Sequence, residues 1–317
     1  MSELLLSTNG LTKQYGHHKA VDKVNLHIKK GAIYGFIGRN GAGKTTCLKM
    51  ISGLSRPTSG EIEIFGYKGK DLQKVRSRVG CLIEAPGLYG NMNAYTNLKI
   101  KCELFGIRKK GYIEDILETV GLEGVGKKKT KHFSLGMKQR LGIGLALVGE
   151  PDLLVLDEPI NGLDPQGIAE VRDTIQRLRD ERNMTILISS HILEELSKIA
   201  TDYGIIHNGS LLQELTSEEL MKRCSERIEI ELIHPEQAVP ILDRMGFTNY
   251  QVTDKEHIHI FEKDPVAGGA CDGRKMDVGY VMRGGREMDN HFEVMWDMFR
   301  SIPSIETEGV SVLDEYY

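Results

Sequence analysis

Three stretches of this chain carry residue types whose chemistry belongs together. In "GRNGAGKT", residues 38–45, the spacing is G-x-x-x-x-G-K-[ST]. Gly38, Gly41 and Gly43 permit the torsions and close backbone approach that aim successive N–H groups at phosphate oxygens, with Arg39, Asn40 and Ala42 between them. Lys44 brings a positive charge for β- and γ-phosphates, and the Thr45 hydroxyl is a ligand for Mg²⁺. Thr46 continues into a helical pattern whose N-terminus favours anions. In "LLVLDEP", residues 153–159, an apolar run ends in Asp157, a candidate to hold Mg²⁺, and Glu158, placed to polarise an attacking water. A base there separates hydrolysis from transfer to a bound acceptor, and so weighs against a small-molecule kinase. The third stretch, "HFSLGMKQR", residues 132–140, opens a helix with Ser134 as N-cap and Gly136 for a close bend. Nothing nearby in the chain offers that helix end an anion.

These residues need elements to hold them. The phosphate stretch follows the apolar run "AIYGFI" and leads into "TTCLKMISGL", a strand, loop and helix in succession. From residue 4 to about 90, short β-rich runs dominate, and from about 91 to 149 the pattern is helical, with Ile113, Ile116, Leu117 and Val120 on one face. Strands and helices then alternate through "DLLVLDEP", "AEVRDTIQRLRDER", "MTILISS", "HILEELSKIA" and "YGIIHNGSLLQ", as parallel β-α units buried on both faces would. Beyond about residue 220 the composition shifts. "RIEIELI" and "HIHIFE" alternate as half-exposed strands, with "EQAVPILDRMG" a helix between them. The glycine-laden stretch 265–285 reads as loop, and "HFEVMWDMFR" sets Phe292, Met295, Trp296 and Phe299 on a core-facing stripe.

With 317 residues, 40% of them hydrophobic, the chain can bury a sizeable core, and a soluble globular protein is expected. Its formal net charge of -4 gives no general basic field, so no nucleic-acid partner is expected. The five cysteines, Cys47, Cys81, Cys102, Cys224 and Cys271, form no C-x-x-C pair and fit reduced thiols in the cytoplasm. No secretory signal opens the chain, and its longest uncharged apolar segment, "LGIGLALVG", falls far short of the roughly 20 residues that span a bilayer. If the protein serves a membrane, another chain crosses it.

In order, "GRNGAGKT", "SLGMKQR", "LLVLDEP", "NGLDP" at 161–165 and "SSH" at 189–191 resemble the ATP-binding cassette family, specifically the nucleotide-binding subunit of an ABC transporter, over about residues 5–220. The resemblance implies an α/β P-loop NTPase fold of the ABC ATPase kind, with a β-rich N-terminal subdomain and a helical signature subdomain at about 91–149. The ATP-binding domain would fill 1–220, and a small α+β appendage 221–317. ATP and Mg²⁺ are the implied cofactors, and hydrolysis coupled to transport is the implied activity. In the family, the signature of one subunit covers the γ-phosphate held by another, so Ser134, Leu135, Gly136 and Met137 would act in trans on a second ATP-binding subunit. Asp164 would connect the two sites, and His191 would contact the γ-phosphate or the attacking water, although a lone histidine at a strand end also serves structurally. Tyr15 matches the family aromatic that stacks on adenine, a place where a strand aromatic also packs well. The lysine run "GKKKTKHF" reads as a solvated face.

Two departures from the family pattern stand out. The signature carries Leu135 and Met137-Lys138 where glycines and a glutamine are usual. Glu84 occupies the expected glutamine of the loop that meets the metal and the membrane subunit. A carboxylate can only accept hydrogen bonds, and it adds negative charge near the phosphates while remaining a candidate Mg²⁺ ligand. That loop, with "IEAPGLYGNM" around it, resembles the bacitracin-export and lantibiotic-immunity branch. The expected task is export or clearance of an antimicrobial peptide by a separate transmembrane permease, with this chain peripheral on the cytoplasmic face of the membrane. A soluble ABC factor acting on ribosomes or DNA is the competing expectation, disfavoured by a single cradle and by the lack of sustained heptads.

Overall fold

The strands that carry the chemistry are apolar without alternation, which demands cover on both faces. The computed structural model supplies it; residues 3–223, residue 239 and the short strands 227–231, 250–252, 257–261, 274–276 and 279–281 are described. A six-stranded sheet runs in the order β11 (Ser210–Thr216), β10 (Asp202–His207), β4 (Ile33–Ile37), β9 (Thr185–Ser190), β8 (Leu153–Asp157), β7 (Val79–Leu82). All neighbours are parallel except β11, which folds back antiparallel on β10.

Successive side chains of β8 go to opposite sides. Leu153 and Val155 join one core with Leu48 and Met50 of α1 (Lys44–Ile51) and with the second sheet, while Leu154 and Leu156 join the other core with the helices. The second sheet is antiparallel, in the order β2 (His18–Val24), β1 (Leu4–Tyr15), β5 (Ser59–Ile64), β6 (Tyr67–Lys68), with β3 (His27–Lys29) also paired to β1. On the other face lie α2 (Ala94–Leu104), α3 (Tyr112–Thr119), α4 (Leu135–Leu147) and α5 (Pro165–Arg182). Local signals delimit α5: Asp164 caps its first turn, Pro165 takes the position where a missing N–H costs nothing, and Asn183 ends it in a left-handed conformation. Two short helices, α6 (Leu193–Ser197) and α7 (Ser217–Arg223), follow.

Two compact units divide the chain, Met1–Leu220 and Met221–Tyr317. In the second, β12 (Arg227–Glu231) and β13 (Tyr250–Val252) pair antiparallel with β14 (His257–Phe261), so the alternating runs form strands. Within 265–285, expected as loop, β15 (Arg274–Met276) and β16 (Gly279–Val281) pair antiparallel; of their six residues only Gly279 is glycine, so the ladder is made where glycine is sparse. The expected helix over 236–246, residue 239 apart, and the Phe292–Phe299 stripe lie outside the described residues. Among the described residues, Cys47, Cys81 and Cys102 are free thiols, and no helix is long and apolar enough to cross a membrane. Burial holds the Cys47 thiol up at about 12, so it stays protonated directly behind the phosphate stretch.

Leu154→Ala is expected to cost about 2–5 kcal/mol, because the side chain is fully buried and leaves a cavity. Leu212→Ala, at a 64% exposed position, should stay within about 0.5 kcal/mol. Urea unfolding of both variants checks this, and equal losses would contradict the two-core packing.

Candidate functional site

Because β4, β9 and β8 are adjacent and parallel, their carboxyl ends release the chain on one edge of the sheet, where open α/β sheets collect ligands. The cradle leaves β4, His191 leaves β9, and Asp157 with Glu158 leaves β8. One backbone bond, Gly38 N–H to the Ser190 carbonyl at 3.3 Å, ties two of these exits together.

The loop from Gly38 to Gly43 is shaped by glycine where a side chain cannot stand. Gly41 and Gly43 hold φ of +81° and +106°. A Cβ on Gly43 would run into the Ala20 carbonyl oxygen, and one on Gly38 into that of Ile206, whereas one on Gly41 would meet nothing within 4 Å. The cradle is therefore braced from behind and open at Gly41, with Arg39 and Asn40 exposed beside it and Ala42 buried. Gly43 caps α1 without any side-chain bond, so the first amides of the helix, at Lys44, Thr45 and Thr46, are left for an outside acceptor. That arrangement fits phosphate oxygens.

Lys44 is only 5% exposed and bends over its own loop, its Nζ donating to the Gly38 carbonyl at 2.5 Å and lying 3.0 Å from Glu158 Oε1. The approach to Glu158 is close but off the direction of a hydrogen bond, so Oε1 is buried with no hydrogen-bond partner. The other carboxylate oxygen, Oε2, lies 2.9 Å from His191 Nδ1. An ionised carboxylate only accepts, so Nδ1 carries the proton and, in the neutral ring, Nε2 remains an acceptor. Glu158 holds φ of +48°, and its N–H donates to Ser189 Oγ at 2.9 Å. The same Oγ donates to Asp157 Oδ1 at 2.6 Å, inside the sheet. The structure thus brings Lys44, Asp157, Glu158 and His191 together. It adds Ser189, whose place in "SSH" by itself assigned it no contact.

Two other expected site residues have partners of their own. Glu84 does not join Asp157. It stands at φ +62° with its carboxylate 2.5 Å from Lys49 Nζ on α1, and among the described residues no cluster of three acid, histidine or cysteine ligands forms. The bond to Glu84, with the charges of Glu84 and Asp157 behind it, raises the Lys49 pKa, so the lysine remains the counter-ion of the substituted loop. In the signature, the Met137 amide is already taken by Ser134 Oγ at 3.2 Å, which leaves the amides of Leu135 and Gly136 as the open donors of α4. Asp164 similarly accepts from Gly167 N–H at 3.0 Å, and Gly136 packs against Gly167. Leu135 is 47% exposed on this tip, and among the described residues no hydrogen bond joins Ser134–Met137 to the cradle. Tyr15 stands apart at the end of β1, 53% exposed, with Lys13 Nζ 5.1 Å from its ring centre.

A glycine cradle before a helix, with acids at the end of the parallel strand next but one, defines a P-loop nucleoside triphosphatase. Comparison with known proteins narrows the class. The family model described as ABC transporter matches residues 21–161, and a model described as the MCRA family matches 250–317. Bacitracin transport ATP-binding protein BcrA of Bacillus licheniformis is 47% identical over 81% of this chain and 85% of its own length. Lantibiotic transport ATP-binding protein SrtF of Streptococcus pyogenes is 44% identical over 66% of this chain and 90% of its own. A solved structure titled as dimeric MJ0796, a bacterial ABC transporter cassette, superposes with a TM-score of 0.61 at 25% identity, covering 67% of this chain and 98% of that one. The chain belongs to the ATP-binding proteins of ABC transporters, and is an ATP-binding, ATP-hydrolysing subunit of that family.

Lys44→Ala should weaken ATP binding by at least about tenfold, since it removes a charge-assisted contact worth on the order of 1.5–3 kcal/mol. Titration with a fluorescent ATP analogue measures it; unchanged affinity would remove Lys44 from the phosphate site.

Proposed function

We propose that this chain is the motor of a transporter that exports or clears an antimicrobial peptide of the bacitracin or lantibiotic kind. It would work on the cytoplasmic face of the membrane through a separate permease. The observation that carries the reading is the likeness, over most of their lengths, to two relatives whose names state bacitracin and lantibiotic transport. A groove of about 320 Å³ beside the Glu84 loop, lined by Leu82, Pro86, Tyr89, Leu104 and Phe105 among others, offers the permease an apolar seat.

In this reading Tyr15 stacks on the adenine, and the amides of Gly41 and of Gly43 to Thr46 receive the phosphates, that of Ala42 being held by the Arg39 carbonyl. Lys44 turns from the Gly38 carbonyl toward the β- and γ-oxygens. Thr45 and Asp157 would hold Mg²⁺, which when bound neutralises charge on the phosphates. Glu84, the third candidate ligand, would exchange its bond to Lys49 for the metal if it joined them. With Lys44 turned to the phosphates, Glu158 would present the Oε1 that Lys44 now pairs with to a water and take its proton as the oxygen attacks the γ-phosphorus, with ADP and inorganic phosphate as products. His191 holds the other oxygen of Glu158 and so fixes the direction of Oε1.

Ser134, Leu135, Gly136 and Met137 face the γ-phosphate bound to a second ATP-binding subunit, and Asp164 lies in the segment between the two sites. The open amides at Leu135 and Gly136, with no anion of their own, support this assignment, as does the neighbour titled a dimeric cassette. Because those contacts exist only in the closed pair, ATP favours closure and hydrolysis releases it.

Glu158→Gln should slow ATP turnover by about 100-fold or more while ATP-dependent dimers accumulate on size exclusion. Co-expression of the chain with its permease should raise the concentration of bacitracin or a lantibiotic needed to stop growth of a sensitive host, and Lys44→Ala should cancel the effect. Unchanged sensitivity with dimer formation intact would sink the substrate assignment and spare the motor.

A further inference from the structure

Ser189 sits at the last turn of pleat in β9, directly across from Asp157 in the parallel register, with no solvent exposure. Its hydroxyl makes two bonds whose directions are fixed by chemistry. The Glu158 N–H can only donate, so Oγ accepts it at 2.9 Å; the single hydroxyl proton is then free to go to Asp157 Oδ1, at 2.6 Å. One side chain therefore locks the carboxylate of one acid and the backbone of the next. Asp157 is 4% exposed.

The backbone of Glu158 needs such a lock. A residue with a Cβ seldom holds positive φ, and Glu158 does so at +48° at the point where the chain leaves β8. That torsion turns the side chain back toward Lys44 and His191, which lie 3.0 Å and 2.9 Å from its two oxygens. We infer that Ser189 is a positioning residue for hydrolysis: by bonding the Glu158 amide and the Asp157 carboxylate together, it holds the base in its left-handed turn and aims its carboxylate between Lys44 and His191. The inference rests on Glu158 being the base. Ser189 touches neither substrate nor water in this scheme, and its contribution passes wholly through its two neighbours.

Steady-state turnover of the full chain separates the possibilities with Ser189→Ala, Glu158→Gln and the double variant. Ser189→Ala should lower kcat for ATP by about tenfold or more, with KM within about threefold, because the cradle is untouched. The double variant should turn over less than about threefold more slowly than Glu158→Gln alone, since the base whose aim Ser189 sets is already gone and only its hold on Asp157 remains to be lost. In the Glu158→Gln background, Ser189→Ala should leave the ATP concentration needed for dimer accumulation unchanged, a binding readout independent of turnover. Wild-type kcat in Ser189→Ala, a loss confined to KM, or full multiplication of the two losses would each overturn the role of Ser189. Wild-type turnover in Glu158→Gln would instead remove the base itself and the inference with it. If the alanine variant does not fold, Ser189→Cys, of similar size but a weak hydrogen-bonding group, is read by the same criteria.

Discussion

The site depends on parallel neighbours in the sheet ending together. Ile37 pairs with Ser190 and Ser189 with Asp157, so the phosphate cradle, the histidine and both acids emerge at one level although they are far apart in sequence. A slip of one residue in β8 would exchange its two faces, sending Asp157 away from Ser189 and the leucines of one core into the other. Register is held against that slip by burial on both sides: every residue of β8 and of β9 is buried. The apolar strands that make the fold are thus also what aligns the polar groups at its edge.

Much of this was legible in the chain itself. The cradle could be read from Gly38 to Thr45 because its conformational and chemical demands fall within eight consecutive residues. Asp157 and Glu158 were legible for a similar reason, as acids closing an apolar run. What could not be read were contacts between distant residues that their own neighbours do not require. Glu84 and Lys49 are 35 positions apart, and neither stretch announces the other. Ser189 lies in "SSH", but that motif gave it no partner, since a buried hydroxyl is defined by its contacts and not by its spacing. The Ser134 cap was read correctly as a helix opening, but only geometry decides that the Met137 amide is the one it takes. Past residue 250 the likeness passes to a different family model, which is where patterns drawn from an ATP-binding cassette lose their hold.

The signature tip is built to be rigid before anything meets it. Ser134 caps α4, Asp164 caps α5, and the two helix starts meet through Gly136 and Gly167, where side chains are absent on both sides. If it meets a second subunit as proposed, such a surface would lose little conformational freedom on association. Leu135, exposed where the family usually has glycine, makes that surface more apolar and more demanding in shape.

The pair between Lys49 and Glu84 carries a different kind of consequence. Both partners reach solvent, with side-chain exposures of 35% and 65%, so their attraction is open to screening by dissolved ions over a Debye length of about 8 Å near physiological ionic strength. A neutral glutamine at position 84 would tether the loop with little regard to salt. This chain instead fastens its loop to the helix behind the cradle through an electrostatic clasp, and the surrounding electrolyte sets how firmly that clasp holds.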